Sequence, residues 1–472
     1  MENVDLVIKN GRILTPTGIA SAGIAVNRGK IVMVGAETYL PSASRTIDAG
    51  GKYVLPGLID PHVHYGYGGM RRVEDFHSKL PGDSQSSAAG GVTSFGQFLR
   101  KEGPGFRTLV EDSTKALGER SLIDGFFHIV VTAEILDEIP KAVEMGINSF
   151  KFLLGYKGLK LGGLQYVAID DGITYNGFEK ISQIAKEGRN VWAMTHCENI
   201  DLISMLQKKL QAAGRKDAQA WEASRPNFTE EETIKRCIYF AKITNCPLYI
   251  VHNSIGEAPE LGAQAKAEGV KVVLETCPQY LVLKNEDLPP IFKEWPTLAV
   301  VNPPIRHQWD IDKLWQGIRN GWLETIGSDY APQPLAAKGK DIWAAKQPGL
   351  GATSELILPT LLDGVNKGLV SLEKVVEIAS YNPAKIFGLL PEKGQIGVGS
   401  DADLVIVDMA KKVKVSTAVL HTPPEIADWT MYDQLELQGW PVMTILRGKV
   451  IFEDGKIIGK PGDGRWLASK SK

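Results

Sequence analysis

Residues 58–64 read Leu-Ile-Asp-Pro-His-Val-His, an apolar run that ends in two histidines separated by one residue. In an extended segment, residues two apart face the same side, so the rings of His62 and His64 can reach one ion. Three later apolar runs end in further side chains that bind metals, namely His196, His252 and Asp329. This repetition predicts that several strands deliver polar groups to one place.

The segments around these residues alternate between strand and helix patterns. Residues 178–189 and 258–269 have helical periodicity, and each is followed by a short apolar run typical of a buried strand. Repeated βα units indicate a parallel sheet, and the length of the segment 55–390 suits a closed (β/α)8 TIM barrel. The carboxyl ends of all strands of such a barrel meet at one face. A doubly wound open sheet is the alternative.

Both ends of the chain are instead rich in β-strand patterns. The pairs Asn10-Gly11 and Arg28-Gly29 each predict a tight hairpin. We therefore expect one small β-sandwich domain built from both termini. The expected parts are the β-sandwich domain over 1–54 and 391–460, a metal-dependent hydrolase barrel over 55–390, and a polar C-terminal tail over 461–472 that is loose or lies as an arm on the surface.

Two further patterns predict local features. Thr229 is followed by Glu232 three residues later, which predicts that a helix begins with Thr229 as its cap. The aromatic residues between 429 and 440 have the pattern of an exposed segment that serves a subunit contact.

The composition is that of an ordinary globular protein. The 472 residues are 43% hydrophobic and 23% charged, with a formal net charge of −2. This balance does not favour nucleic acid or an anionic membrane as a partner. The sequence contains no run of 18 apolar residues, so we expect no membrane-spanning helix. The first residues lack a signal-peptide pattern. The four cysteines include no C-x-x-C pair, so we expect a cytoplasmic protein.

The chemistry of the strand-end residues points to a metal. One such histidine alone is explained as a hydrogen-bonded core residue, but imidazoles and a carboxylate together suit zinc, manganese or iron. Lys151 lies inside the apolar run 149–154, where it either pairs with a buried carboxylate or extends its ammonium to solvent. An ammonium beside two cations is repelled. A neutral amine can react with carbon dioxide, and we take the resulting carbamate bridge as a hypothesis.

These motifs resemble the amidohydrolase superfamily, and most of all its cyclic amidohydrolase branch of dihydropyrimidinases, hydantoinases and allantoinases. The resemblance covers nearly the whole chain. It is carried by Asp-Pro-His-Val-His at 60–64, Phe-Lys at 150–151, Thr-His-Cys-Glu at 195–198, Val-His-Asn-Ser at 251–254, Gly-Ser-Asp-Tyr-Ala-Pro at 327–332, and the glycine-rich stretch 394–403, which is similar to the family's return to its β-sandwich.

The resemblance implies a binuclear-metal hydrolase that opens a cyclic amide by attack of a metal-bridging hydroxide. The implied ions are zinc, with manganese as the alternative. Asp329 is implied to take the proton of the hydroxide and to give it to the departing amide nitrogen. The implied ligands are His62, His64 and Asp329 for the more buried ion, His196 and His252 for the second ion, and carboxylated Lys151 as the bridge.

The same resemblance suggests residues that bind the substrate. Tyr156 matches the tyrosine that hydantoinases place against the developing oxyanion, although an ordinary loop aromatic is the alternative. Asn302 stands where these enzymes use backbone groups to bind the cyclic amide. Gly66 and Gln333 stand where dihydroorotases have an Arg and a His for the substrate carboxylate, which argues against a dihydroorotase. Tyr330 stands where many relatives have His.

The choice of ring stays open at this point. A hydantoin, a dihydropyrimidine, a lactam and an imide all fit the implied chemistry. The alternatives are an allantoinase, a single-metal deaminase, which Lys151 disfavours, and a non-catalytic dihydropyrimidinase-like scaffold protein. The expected partners are a small cyclic amide and further copies of the chain in a homodimer or homotetramer.

Overall fold

The computed structural model describes residues 3–66, 73–100, 105–156, 160–161, 164–165, 169–344 and 348–470. Its strands, in chain order, are β1 (Val4–Thr15), β2 (Gly18–Asn27), β3 (Lys30–Gly35), β4 (Ala43–Asp48), β5 (Tyr53–Pro56), β6 (Leu58–Val63), β7 (Val92–Leu99), β8 (Asp124–Val130), β9 (Ser149–Leu153), β10 (Lys160–Leu161), β11 (Leu164–Gln165), β12 (Trp192–His196), β13 (Leu248–Ile250), β14 (Val272–Thr276), β15 (Thr325–Ile326), β16 (Leu404–Lys414), β17 (Glu436–Leu446), β18 (Lys449–Glu453) and β19 (Lys456–Ile457).

The helices connect the strands of the middle segment and cover them. They are α1 (Val73–Ala89), α2 (Arg107–Arg120), α3 (Ile139–Glu144), α4 (Asp171–Lys186), α5 (Ile200–Ala212), α6 (Gln219–Ala223), α7 (Asn227–Thr244), α8 (Ala258–Ala267), α9 (Gln279–Val282), α10 (Ile291–Glu294), α11 (Gln308–Arg319), α12 (Leu335–Lys338), α13 (Ile357–Asn366), α14 (Leu372–Val376) and α15 (Asn382–Ile386). Among the described residues, no helix has both the length and the apolar character that crossing a membrane requires.

Eight parallel strands form the barrel that the βα pattern predicts. They pair in the order β15-β14-β13-β12-β9-β8-β7-β6. The ring closes where Val63 pairs with Tyr330 and the amide of His64 donates to Tyr330 O at 2.7 Å. The (β/α)8 barrel is therefore confirmed, and the open-sheet alternative is wrong.

The barrel interior is a packed apolar core beneath the strand ends that carry the histidines. Its buried cluster includes Ile59, Phe98, Met194, Tyr249 and Val251, which come from four different segments of the barrel. Burial of such side chains excludes water from the floor. The polar groups at the carboxyl ends therefore stand on a rigid apolar base.

The second sheet is mixed and takes strands from both ends of the chain. Its order is β19-β18-β17-β16-β5-β1-β2-β3, and β4 pairs with β1. Strand β16 joins the two chain ends, because it pairs with β5 on one side and β17 on the other. Ile8, Ile24, Leu404 and Ile445 lie in its buried core.

One of the two predicted hairpins is wrong. Strand β1 runs straight through Asn10 and Gly11, with a register shift against β2 at this point. Asn10 has φ 55° and its side chain donates to Asp48 Oδ2 at 2.8 Å. A left-handed residue accommodates the extra residue of a β-bulge as well as it forms a turn. The other pair, Arg28-Gly29, does connect β2 to β3, with φ values of 51° and 75°.

Two other local predictions are also wrong. Helix α7 begins at Asn227, so Thr229 lies inside its first turn, where its hydroxyl donates to Pro226 O at 2.9 Å. A proline before the helix sets its start without a capping side chain. Trp429 and Trp440 are buried rather than exposed, so this segment offers no aromatic subunit contact.

The described residues of the C-terminal tail form an arm on the barrel rather than a loose segment. The amide of Gly125 donates to Arg465 O at 3.0 Å, and the amide of Leu467 donates to Gly125 O at 2.8 Å. The Leu467 side chain is buried in the barrel cluster. The tail thus extends the pairing of β8 at its amino end.

A buried ion cluster joins the barrel to the mixed sheet at the face opposite the histidines. Lys393 Nζ lies 2.5 Å from Asp124 and Asp403 and 2.9 Å from Asp401. Asp124 begins β8, so the cluster lies at the amino ends of the strands. The three carboxylates could in principle hold a metal, but the ammonium already lies among them.

Candidate metal centre

The barrel brings the six expected metal ligands to its carboxyl-end face. His62 lies in β6, Lys151 in β9 and His196 at the end of β12. The others lie one to three residues beyond the ends of β6, β13 and β15, namely His64, His252 and Asp329. Their positions follow from the parallel register, in which Met194 of β12 is level with Lys151 of β9.

Three of these side chains converge on one point. Asp329 Oδ1 lies 3.1 Å from His62 Nε2 and 3.2 Å from His64 Nε2. Among the described residues, His62 Nε2 is buried and lacks a hydrogen-bond partner. A buried polar atom left without a partner is costly. Two imidazole nitrogens and a carboxylate oxygen within 4.8 Å of one another therefore fit a transition-metal ion.

The other two histidines lie directly beside this group. The ring of His252 stacks 5.4 Å from His62 and meets His196 edge-on at 4.5 Å. His252 Nδ1 is buried and has no hydrogen-bond partner among the described residues. The four imidazoles thus form one continuous cluster.

Lys151 points into this cluster and does not extend to solvent. It is 2% exposed, and its Nζ lies 4.8 Å from the centroid of the Phe98 ring. Burial lowers the pKa of Lys151 to about 8. Burial lowers the pKa of His64, His196 and His252, and the Lys151 ammonium acts in the same direction. The pKa of His62 is instead raised, because Glu275 and Asp329 outweigh burial and Lys151. A lysine in this environment is available as a neutral amine near neutral pH.

Asp329 is held as a carboxylate by its neighbours. Burial alone would raise its pKa, but His62 and His64 outweigh that effect and hold the pKa well below its usual range. Asp329 and His252 have φ values of 52° and 39°. Left-handed conformations are unfavourable for residues other than glycine, and they cluster at functional sites.

A buried carboxylate that sequence reasoning missed supports the histidines from behind. Glu275 accepts a hydrogen bond from His62 Nδ1 at 2.7 Å, from the His252 amide at 3.0 Å and from Tyr249 OH at 2.7 Å. The signal in the sequence was an acidic residue within the apolar run 272–276. A carboxylate on the far nitrogen fixes the ring of a metal-binding histidine.

Glu198 has the same relation to His196. Its Oε2 lies 2.7 Å from His196 Nε2, which leaves Nδ1 of that ring for a ligand. The side chain is buried. The position and burial of Glu198 fit a carboxylate that orients the His196 ring.

Tyr156 and Asn302 meet beside the histidine cluster. Tyr156 lies on a 3-10 turn that follows β9, and its ring centroid is 4.9 Å from that of His196. Asn302 Nδ2 donates to the Tyr156 hydroxyl at 3.4 Å. These two residues come from distant parts of the chain, yet they border the same end of the cluster.

The unusual Tyr330 after Asp329 has a structural partner. Its hydroxyl donates to Asp83 Oδ1 at 3.0 Å, and Asp83 Oδ2 accepts from the Gly66 amide at 2.6 Å. This link connects the segments after β15 and β6. His128, which was not expected at the site, instead contacts Pro61 O at 2.9 Å and Ser149 Oγ at 2.6 Å.

Comparisons with known proteins agree with this geometry. The sequence profile of the amidohydrolase family matches residues 53–451. The chain is 35% identical to an L-hydantoinase of Paenarthrobacter aurescens, over 99% of this chain and 98% of the relative. It is also 35% identical to a D-hydantoinase of Rhizobium radiobacter, over 98% of each chain.

Solved structures give the same result. The crystal structure of dihydropyrimidinase from Brevibacillus agri superimposes with a TM-score of 0.87 at 30% identity, over 98% of each chain. The likeness thus covers the barrel and the mixed sheet together.

Proposed function

This chain belongs to the amidohydrolase family, and we propose that it is a binuclear-metal hydrolase that opens the ring of a small cyclic amide. The observation that carries the proposal is the convergence of His62, His64 and Asp329 at the carboxyl end of a closed barrel. His62 Nε2 makes no well-aligned hydrogen bond within the described part of the chain although Asp329 Oδ1 lies 3.1 Å away, and this arrangement suits a cation that both groups share.

The chain's own residues supply a complete ligand set. His62, His64 and Asp329 would hold one ion, His196 and His252 the second, and Lys151 would bridge the two as a carbamate. When bound, two divalent ions, zinc or manganese, would activate a water and polarise the substrate carbonyl. The lowered pKa of Lys151 supports the carbamate, because only a neutral amine attacks carbon dioxide.

Asp329 is suited to move a proton during the reaction. Its low pKa keeps it ionised near neutral pH, so it can accept the proton of the attacking water. The same carboxyl group then gives the proton to the amide nitrogen as the ring C–N bond breaks. Transfer within one site avoids an exchange with bulk solvent.

Tyr156 and Asn302 are proposed to bind the substrate. The Tyr156 hydroxyl, held by Asn302 Nδ2, would donate to the oxygen of the carbonyl under attack. The backbone of Asn302 would bind the cyclic amide edge. Tyr156 lies beside His196, so the carbonyl would face the second ion's ligands.

The ring is proposed to be a hydantoin or a dihydropyrimidine, with a lactam or an imide as further candidates. The relatives include an L-hydantoinase, a D-hydantoinase and a dihydropyrimidinase, so they support a class of ring rather than one enantiomer. An allantoinase stays an alternative ring choice. The scaffold alternative is disfavoured, because all six ligand positions are filled by suitable residues.

We also propose a cytoplasmic homodimer or homotetramer. The four cysteines are free and buried, which fits a reducing compartment. The outer face of α7 exposes Phe228, Tyr239 and Ile243, and the adjacent helix α5 exposes Met205. Apolar side chains grouped in this way are typical of a contact between subunits.

The test is a substrate panel on the purified protein loaded with zinc or manganese. Hydantoin, 5-substituted hydantoins of both hands, dihydrouracil, allantoin, a lactam and a cyclic imide are each followed by chromatography for ring opening. We expect turnover of at least one ring and its loss after chelation. A protein that binds two metals and opens none of these rings would contradict the proposed function.

A further inference from the structure

A buried arginine lies behind the second pair of histidines, in the turn between α6 and α7. Arg225 is 3% exposed, its guanidinium stacks 3.7 Å from the Trp221 ring, and its Nη1 donates to Ser224 Oγ at 2.9 Å. Burial lowers the pKa of Arg225 to about 10, although Glu198 and Tyr156 act in the opposite direction. An arginine is rarely buried this deeply without a specific partner.

The first contact of Arg225 leads to a metal ligand. Its Nε lies 3.4 Å from Glu198 Oε1, while Glu198 Oε2 lies 2.7 Å from His196 Nε2. The guanidinium therefore stands opposite the buried carboxylate that fixes the His196 ring. Glu198 is buried, so removal of this cation would leave its charge poorly compensated.

The second contact leads to the substrate side. The Trp221 ring under the guanidinium donates from Nε1 to Val301 O at 2.9 Å. Val301 precedes Asn302, whose Nδ2 donates to the Tyr156 hydroxyl at 3.4 Å. The Tyr156 ring returns to His196 at 4.9 Å. The contacts form a closed circuit from His196 through Arg225 and back.

We propose that Arg225 is a positioning residue that fixes a ligand of the second metal and the substrate-binding segment around Asn302 relative to each other. One arm acts through Glu198 on His196, and the other acts through Trp221 on residues 301–302. The inference rests on the proposed function, because it takes His196 as a ligand and Asn302 as a substrate contact. A planar guanidinium can stack and pair at once, which a lysine ammonium does not do.

The test separates the two arms with Arg225→Met and Trp221→Phe. Affinity for the second equivalent of zinc is measured by competition with a chelator, and kcat and KM are measured on the best ring of the panel. Arg225→Met should lose 10–100-fold in zinc affinity, the range usual for groups that orient metal-binding histidines. Trp221→Phe keeps the stacked ring but loses the Val301 contact. It should raise KM several-fold and leave zinc affinity unchanged.

Arg236→Met on α7 is the matched control, because it removes an arginine that pairs outside the circuit with Asp171 at 2.7 Å. We expect wild-type zinc affinity and KM in this variant. If the two substitutions act only by a general loss of stability, zinc affinity and KM will both change in Arg225→Met and in Trp221→Phe. That outcome overturns the proposal. So does a folded Arg225→Met with wild-type zinc affinity.

If Arg225→Met does not fold, Arg225→Lys is judged by the same readouts. This variant should bind zinc several-fold more weakly and have a higher KM, because a lysine replaces neither the contact with Glu198 nor the stacking on Trp221 fully. Wild-type values for both would overturn the proposal. Failure of the proposed function can be distinguished from failure of this inference. If the wild type opens none of the rings, the zinc affinities of the wild type and the variants can still be measured and compared.

Discussion

Asp329 combines two tasks in one side chain, since its Oδ1 faces two histidines and its carboxylate is the proposed proton carrier. Asp329→Asn should keep the fold but lose kcat by roughly 10²–10⁴-fold, because an amide cannot carry the proton. Weaker metal binding should add to the loss. Steady-state kinetics beside metal analysis checks this, and near-wild-type turnover would rule out the proton role.

Lys151 is the residue on which the bridge depends. Lys151→Ala should lose at least one metal and nearly all activity, because two cations then lack an anion between them. A short carboxylic acid such as propionate should restore part of both by entering the vacated space. Metal content and turnover are measured with and without the acid.

Lys271→Ala is the matched control for that experiment. Lys271 also lies beside a barrel aromatic, with Nζ 4.6 Å from the Trp192 ring, but it is outside the cluster. It should keep both metals and show no response to the acid. If Lys151→Ala keeps two metals, Lys151 is only a core lysine.

The residues proposed as ligands could be singled out from the sequence, while the residues that support them could not. His62, His196 and His252 each end an apolar run, and parallel strands bring such ends together. Glu275 is marked only as an acidic residue within the apolar run 272–276, and Arg225 carries no signal of this kind. Arg225 acts through a tertiary contact with Glu198, 27 positions earlier, and no spacing rule records a contact of that kind.

At the scale of single elements, strand β14 connects β6 and β13 through Glu275. Glu275→Gln removes the negative charge and at least one of its three acceptor contacts, with His62, His252 and Tyr249. We expect a loss of about 10–100-fold in metal affinity or kcat. Equilibrium dialysis with zinc measures the first quantity.

Glu268→Gln controls for the change of charge, since Glu268 pairs with Lys242 at 2.8 Å on the surface. Surface pairs of this kind contribute little, so this variant should match the wild type. Equal zinc affinities in Glu275→Gln and the wild type would show that Glu275 only fills the core.

Element boundaries explain the local errors of prediction. The sequence patterns around Asn10 and Thr229 are locally consistent with a hairpin and a helix cap. Pairing of β1 with β2 and β4 instead keeps Asn10 inside a long strand, and Pro226 begins α7 early. Strand pairing outweighed the local turn preference at Asn10, and a neighbouring proline outweighed the capping pattern at Thr229.

At the scale of the whole molecule, a buried lysine couples stability to pH. Lys338 Nζ donates to Val300 O at 2.8 Å and Gly349 O at 2.9 Å, and burial lowers the pKa of Lys338 to about 7. In the unfolded chain this amine titrates near its ordinary pKa of about 10.4. Between these values the unfolded state binds more protons, so the free energy of unfolding contributed by Lys338 rises with pH.

Lys338→Met removes this contribution. From pH 7 to pH 10, the free energy of unfolding of the wild type should rise relative to that of Lys338→Met. The slope is at most about 1.4 kcal/mol per pH unit. Urea denaturation at several pH values measures both proteins under identical conditions. Two curves that stay parallel over this range would show that Lys338 keeps its proton when buried.

The overall architecture was more predictable from the sequence than the contacts that join the barrel to the mixed sheet. Strand patterns at both chain ends predicted one small β domain built from both termini, and strands from both ends do pair there, β16 with β5. The cluster of Lys393 with Asp124 and Asp403 joins that sheet to the barrel. Its members are isolated charges in the sequence, and their contact exists only once both bodies have folded.

The central claim is that the histidine cluster holds the metals that drive ring opening. The most direct measurement is one titration of metal-free protein with zinc or manganese in bicarbonate buffer, which follows bound metal and the rate of ring opening in the same samples. Activity should rise with metal and reach its maximum at two equivalents per chain. A full rate of ring opening in metal-free protein would contradict this claim, as would metal binding that saturates below one equivalent per chain.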